Sequence, residues 1–418
     1  MASEIRVNNI KALTGLGTVT ISSDGIDVGA GIITANNFTG SLTGTASTAT
    51  ASATAYGISG SPTLSGITSV STTNLTVNGN AYPSAGPLSN RNLIINGAMQ
   101  VSQRGTVVNA GNEYAGPDRF RFSKNDGAFT ISQDTDVPSG QGFGNSWKCD
   151  VTSVAGTAGP YYVILEHRIE GQNLQMLKKG TASAENFTVQ FWIKTSKTGT
   201  YIVEMRDTDN NRSISQSYTV SAADTWEKKI LTFDGDTSGV LDNDNGSSLT
   251  ILLWLYAGST FTSGTLQTSW GAETDANKAV GQVNAADNTA NNIYITGLQL
   301  EVGSVATPFE HRSYGEELAL CKRYYQRMGD TNTNELTLGG YAINNVNIFH
   351  SIQLPVEMRT IPTLTQVGTF YAVSTGQPTS LPGHRGRKGF GVAHVTTGDG
   401  WFLLASSASA YFVLDAEL

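Results

Sequence analysis

Phe187-Thr188-Val189-Gln190-Phe191-Trp192-Ile193-Lys194 is the stretch that decides the fold. Phe187, Val189, Phe191 and Ile193 alternate with Thr188, Gln190, Trp192 and Lys194. An extended strand puts every second side chain on one side, so this segment buries one face and shows the other. Working outward, Thr195 to Gly199 reads as a turn and Tyr201 to Arg206 as the hairpin partner. Leu249 to Tyr256 is apolar on both faces, which suits a central strand, and Asn292 to Glu301 is a further strand. Asp234-Gly235-Asp236 and Asp242-Asn243-Asp244-Asn245-Gly246 are turn clusters between such runs. Strands joined by polar loops, with no βαβ rhythm, predict a mainly β chain with an antiparallel β-sandwich (jelly roll) over residues 91–312.

The flanks differ from this centre. Ser313 and Glu316 form an S-x-x-E capping box that predicts a short connecting helix over residues 313–328. Tyr314, Leu318, Cys321 and Tyr325 form its apolar stripe, with Glu317, Lys322, Arg323 and Arg327 on the remainder. Residues 329–418 read as a small C-terminal β-domain. From Val28 through Asn90 there is no Asp, Glu, Lys, Arg or His. A monomeric domain carries charge on its exposed face. Residues 31–90 are therefore either a disordered linker or, the preferred reading, a thin shaft whose core is shared between chains. Gly31 to Gly40, and its echo in Gly66 to Val70 followed by Asn74 to Gly79, support the shaft, both reading as short strand signals closed by glycine. The Ala/Thr/Ser tract Thr45–Ala55 suits a close-packed helix or an extended linker.

Composition excludes several functions. The chain has 418 residues, room for two to four domains at roughly 100–200 residues each. Charged residues are 14 % and the net charge is −8, which argues against a phosphate-tracking surface and against nucleic acid as a partner. Cys149 and Cys321 lack a C-x-x-C companion and read as two isolated buried thiols. The N-terminal residues have no apolar core of a signal peptide, and no run approaches the about 20 apolar residues of a membrane helix. Membrane insertion and Sec-type export are not expected, and synthesis in a cytoplasm fits.

Several segments resemble tail-fibre proteins of marine, cyanobacteria-infecting bacteriophages. Ser3-Glu4-Ile5-Arg6-Val7-Asn8-Asn9-Ile10 looks like their N-terminal signature, and Ser41 to Thr50 is similar to their shafts. Asn92-Leu93-Ile94-Ile95-Asn96-Gly97-Ala98-Met99 with Asp118-Arg119-Phe120 resembles the start of a carbohydrate-binding-module-like jelly roll. Leu298 to Gly303, Ala306 to Glu310 and Cys321 to Tyr325 look like its closing strand and following helix, and Leu354 to Arg359 with Ile361-Pro362-Thr363 also looks fibre-like. The resemblance implies a virion tail component, usually homotrimeric. It would attach to other tail proteins through residues 1–30 and present β-domains to host-surface polysaccharide or lipopolysaccharide during adsorption. A purely structural adaptor or virion-decorating protein is the alternative, with a polysaccharide depolymerase behind both.

The candidate sites follow from that chemistry. Aromatic faces stack on pyranose rings while polar groups hold the hydroxyls. Alternation places Trp192 beside Gln190 and Lys194, and places Trp254 and Tyr256 on the face of Thr250. If these strands share a sheet, the three rings line a groove near Glu204 and Arg206; the plainer reading is that a subunit, a loop or the terminal domain covers them. Arg385, Arg387 and Lys388 in the run His384–Gly389 are candidates for contact with anionic surface groups, or simply an exposed hairpin. No cofactor is expected. The acidic turns, including Asp207-Thr208-Asp209, miss EF-hand spacing, and a structural calcium ion stays open only by family analogy. With no G-x-S-x-G, no H-E-x-x-H and no motif pairing carboxylates, no enzymatic activity is expected.

Overall fold

The computed structural model describes residues 20–22, 25–27, 76–77, 80–156, 159–329, 336–342, 347–373, 379–395, 399–406 and 409–418. The chain separates into two compact units, Met1–Val70 and Ser71–Leu418. In the first, β1 (Thr20–Ser22) and β2 (Gly25–Asp27) pair antiparallel. Apart from these strands, the expected attachment segment, and the shaft as far as residue 75, lie outside the described residues.

The second unit opens with a short ladder, β3 (Thr76–Val77) on β4 (Asn80–Ala81). Next come β5 (Val107–Val108), β6 (Glu113–Tyr114), β7 (Arg121–Lys124), β8 (Ala128–Asp134) and β9 (Ser146–Ser153). They are followed by β10 (Tyr162–Glu170), β11 (Phe187–Thr195), β12 (Gly199–Asp207), β13 (Arg212–Val220) and β14 (Glu227–Phe233). β15 (Ser247–Ala257), β16 (Gly271–Ala272) and β17 (Asn292–Val302) complete an antiparallel jelly-roll sandwich. One sheet has seven strands in the order β16-β13-β12-β15-β10-β7-β6, the other six in the order β14-β11-β17-β9-β8-β5.

The alternation at Phe187 is what closes this sandwich. Phe187, Phe191, Phe233, Trp147, Phe122, Phe129, Tyr201 and Leu253 are no more than 2 % exposed and belong to one core between the sheets. Burial of each such side chain is worth about 1.5–3 kcal/mol relative to exposure. Phe187 stacks on Phe233, its cross-strand partner, with ring centres 5.4 Å apart.

One expectation is corrected here. β11 and β12 are not a hairpin: β11 pairs with β14 and β17, whereas β12 pairs with β13 and β15 in the other sheet. The turn after Thr195 arches across the core, because Phe191 and Ile193 on one strand and Tyr201 and Val203 on the other all bury into the same interior. β15 is central in its sheet, as its two apolar faces require.

The helices also differ in detail. A single turn, α1 (Ser259–Thr262), precedes α2 (Tyr314–Lys322). Ser313 caps α2 by accepting the Glu316 amide, as the capping box requires. The helix ends at Lys322, not in the 320s' last residues, because Tyr325–Met328 is strand β18, paired with a strand near the chain's end. Its buried face is Glu317 and Cys321, with Tyr314 58 % exposed, so the apolar-stripe reading was wrong. Glu317 is buried because it accepts from the Asn96 amide and the Arg312 guanidinium, which satisfy its charge. Cys149 and Cys321 are both free and buried.

The remaining strands are β19 (Thr337–Ala342), β20 (Asn347–Gln353), β21 (Thr363–Val367), β22 (Tyr371–Val373), β23 (Thr379–Gly386), β24 (Gly389–Val395), β25 (Gly400–Ala405) and β26 (Tyr411–Asp415). With β18 they make three three-stranded sheets, β18-β26-β21, β19-β25-β22 and β20-β24-β23. Arginines join this region to the sandwich. Arg119, 1 % exposed, pairs with Glu417 and lies 3.5 Å from the centre of the Tyr324 ring. Arg104 reaches Glu417 at 3.0 Å, Arg323 reaches Glu170 at 2.8 Å, and Arg359 donates to the Asn245 carbonyl at 2.7 Å. Among the described residues no helix is long and apolar enough to cross a membrane.

Candidate functional site

Trp192 sits on the outer face of the six-stranded sheet, half-buried, with Lys228 opposite it on β14 and Thr296 opposite it on β17. β17 bulges at this point, since Gln190 pairs with Gln299 but Trp192 pairs with Thr296. Gly297 supplies the bulge. Its φ is +64°, and a Cβ there would lie 2.6 Å from the Phe143 ring. Glycine therefore lets Phe143 lie flat against the strand next to Trp192.

The loop after β17 folds back over the same face. Gln190, 1 % exposed, donates from Nε2 to the Thr307 carbonyl at 2.5 Å, and the Thr307 amide donates to Glu301 at 2.9 Å. The Glu310 amide donates to Gln299 at 2.8 Å. These bonds anchor Phe309 and His311, which form a triangle with Phe143: Phe309 meets Phe143 and His311 edge-on at 5.0 and 4.8 Å, and His311 is tilted against Phe143 at 5.4 Å. The result is a groove of about 470 Å3 lined by Trp192, Phe143, Phe309, His311, Gln190 and Lys228. Oε1 of Gln190 is buried without a hydrogen-bond partner beneath this groove. Burial lowers the pKa of Lys228.

The aromatic surface continues past Trp192. Tyr294 faces Lys194 across the β11–β17 ladder, one step diagonal to Trp192. The Lys194 ammonium is 4.6 Å from the Tyr294 ring, and Trp226 meets Tyr294 edge-on at 6.3 Å. The Trp226 indole donates to Asp136 at 3.0 Å, and Lys194 pairs with the same carboxylate. Sequence reasoning missed Phe143, Phe309, His311, Lys228, Trp226 and Tyr294. A signal existed for three of them: Trp226, Lys228 and Ile230 alternate, as do Tyr294 and Thr296.

The groove of three tryptophan and tyrosine rings does not exist. Trp254 belongs to β15 in the seven-stranded sheet, so it lies on the opposite side of the sandwich from Trp192. Trp254 and Tyr256 do not share a face either. β15 bulges at Leu255, with Val163 paired to Tyr256 and Ile164 to Trp254, so Leu255 and Tyr256 both enter the main core. Trp254, 2 % exposed, packs instead with Ile164, Ile202 and Leu252, and its ring is 5.2 Å from Phe261. Its indole donates to Glu204. Burial pushes the Glu204 carboxyl up to about 7, against the pull of Lys278 and Trp254. Arg206 lies beside it but pairs with Glu273 at 3.0 Å.

The acidic turns have cations of their own. Lys179, 3 % exposed at its side chain, pairs with Asp207 and with Asp236 at 2.9 Å and lies 4.7 Å from the Trp270 ring. Arg212 forks onto Asp236 at 2.7 and 3.0 Å, and the Asp236 carboxyl is lowered to about 2 by these hydrogen bonds against its burial. Asp244 closes its own turn by accepting the Gly246 amide. Among the described residues no group of three or more His, Cys, Asp or Glu could hold a metal ion. Arg385, Arg387 and Lys388 are exposed on the β23–β24 hairpin.

No family model matches the chain, and no curated protein does. Solved structures share parts of its fold. A domain of the bacteriophage CBA120 tailspike protein 4, described as enzymatically active, is 15 % identical over 53 % of this chain at a TM-score of 0.30. The match spans only 24 % of that tailspike domain. A putative sugar-binding protein from Bacteroides thetaiotaomicron is 12 % identical over 51 % of this chain and 100 % of its own, TM-score 0.30. A family 11 carbohydrate-binding module from Clostridium thermocellum, in complex with a mixed-linked tetrasaccharide, is 15 % identical over 49 % and 98 %, TM-score 0.24. At such TM-scores these likenesses do not bear on what this chain binds.

Proposed function

We propose that this chain is a structural component of a bacteriophage tail fibre that recognises host-surface glycan through the Trp192 groove, without cutting it. The observation that carries the reading is a half-buried indole that shares one groove with the Lys228 ammonium and the Phe143, Phe309 and His311 rings. A pyranose ring stacks on the indole through its C–H face, and its hydroxyls accept from Lys228. The Tyr294–Trp226 pair extends the same face for a longer chain of sugars.

The tail-fibre part rests on the N-terminal and shaft-like sequence features, with a homotrimer anchored through residues 1–30. A solution mass near three times 44.2 kDa is the expected result for the full chain. Binding without cleavage is supported by the position of Glu204. This carboxyl has the acidity of a general acid, yet it is 1 % exposed and tied to Trp254.

The test is titration of the full chain against arrayed bacterial surface polysaccharides, followed by tryptophan fluorescence. Trp192→Ala should weaken binding at least tenfold with the melting temperature held. Equal binding by the variant removes the groove from the reading, and release of reducing ends would replace binding with depolymerisation. A structural adaptor is the second reading, favoured by the 303–311 loop that already covers part of this face.

A further inference from the structure

A cleft of about 850 Å3 lies far along the chain, at the β20-β24-β23 sheet. Its lining brings together His350, His384, Arg385, Arg387 and Lys388, with Glu357 as the one carboxylate. Phe349, 66 % exposed, and Ile361, 58 % exposed, supply apolar surface in the same cleft. In a chain of net charge −8, such a concentration of positive charge is local and opposed to the overall sign.

The hairpin that carries these charges is held in place. The Leu354 amide donates to the Lys388 carbonyl at 2.9 Å, and the Met358 amide to the Arg387 carbonyl at 2.8 Å. Arg387 Nε donates to the Met358 carbonyl at 3.1 Å. Glu357 takes Arg387 at 2.7 Å and Lys388 at 3.6 Å, both at solvent-exposed positions. An exposed pair of this kind is worth only about 0–1 kcal/mol, so an incoming anion competes for it at little cost. Glu357 can neutralise one charge of the three, which leaves Arg385 and the unused guanidinium edge of Arg387 for a ligand. Arginine's planar fork suits the paired oxygens of a phosphate, sulfate or carboxylate.

We propose that this cleft is a second binding site, taking saccharides that carry oxyanions, with Arg385, Arg387 and Lys388 on the anion and Phe349 under the sugar ring. It deepens the glycan-recognition reading, but it stands on residues separate from Trp192, so either can fail without the other. Electrostatic attraction supplies much of the affinity, and binding weakens as salt rises.

The experiment measures binding of the full chain to immobilised heparin, alginate and neutral dextran at low and physiological salt. Heparin carries sulfate as well as carboxylate, and alginate carboxylate alone, so retention on heparin but not on alginate assigns the sulfate. The expected result is retention on heparin or alginate and none on dextran. The triple change Arg385→Gln, Arg387→Gln and Lys388→Gln should lose at least tenfold in affinity for the retained anionic polysaccharide. Arg385→Glu alone, at an exposed position, should lose several-fold and guards against misfolding of the triple variant. Neutralising Lys178 and Lys197 on the sandwich and Lys322 at the end of α2 controls for net charge. Equal loss in that control, undiminished binding by the triple variant, or displacement by duplex DNA as effective as by soluble heparin would each overturn the assignment.

Discussion

The indole N–H of Trp254 donates to Oε2 of Glu204 at 3.0 Å, while Oε1 of the same carboxyl is buried without a partner. One neutral donor is too little to hold a carboxylate ionised in a dry site, so burial dominates and the proton stays on to about pH 7.

The sign of the pH effect follows. Glu204 titrates near 4.5 when unfolded and near 7 when folded, so the folded chain binds the proton more tightly. Its contribution is fully present below about pH 4.5 and is lost as pH rises through 7. Glu204→Gln should match the wild type in urea at pH 4.5 and exceed it at pH 8.5, by on the order of 2–3 kcal/mol. A difference that does not change with pH would show that Glu204 is not the group responsible.

Lys179 holds two buried carboxylates, Asp207 and Asp236, together with the Gly239 carbonyl at 3.0 Å. Lys179→Met leaves those carboxylates short of a counter-charge and should cost about 3–5 kcal/mol in a denaturant titration. Because Lys179 and Arg212 already neutralise these turns, a chelator should leave the wild-type melting temperature unchanged. A drop of several degrees on adding chelator would reveal a metal that these turns bind.

Gly297 fixes the position of Phe143 in the groove. Gly297→Val forces a β-branched residue into the left-handed region and pushes the Phe143 ring away. The expected cost is about 1–3 kcal/mol in stability. Glycan titration should show a larger proportional loss than an exposed substitution of equal stability cost; equal losses would separate Phe143 from binding.

Arg119 and Glu417 make the sandwich and the C-terminal sheets depend on each other. Wild-type calorimetry of residues beyond the N-terminal unit should give one cooperative transition. Glu417→Ala leaves a buried guanidinium short of its partner and should split or broaden that transition. An unchanged single peak would show that other contacts couple the two.

Much of this was legible in the alternation of single strands. Phe187 to Lys194 named its own buried face, and the two-sided run Leu249 to Tyr256 named a central strand. What alternation cannot carry is the partner of a strand, or a break in its own period. Thr195 to Gly199 has the composition of a hairpin turn, but inward residues on both flanking strands drew it into an arch. Leu255 adds one residue to β15, and that single insertion moved Tyr256 from the expected outer face to the core. The groove itself is assembled from Phe143, Trp192, Gly297 and Phe309, four segments that only tertiary folding brings together.

Arg119 precedes its carboxylate partner by 298 positions. At roughly 5–20 residues per second, a ribosome takes some tens of seconds to reach Glu417 after Arg119 has emerged. Throughout that interval the sandwich strands can collapse, but they do so around a guanidinium with no counter-ion. The sandwich interior is therefore electrostatically complete only once a residue 298 positions further along the chain has folded back onto it.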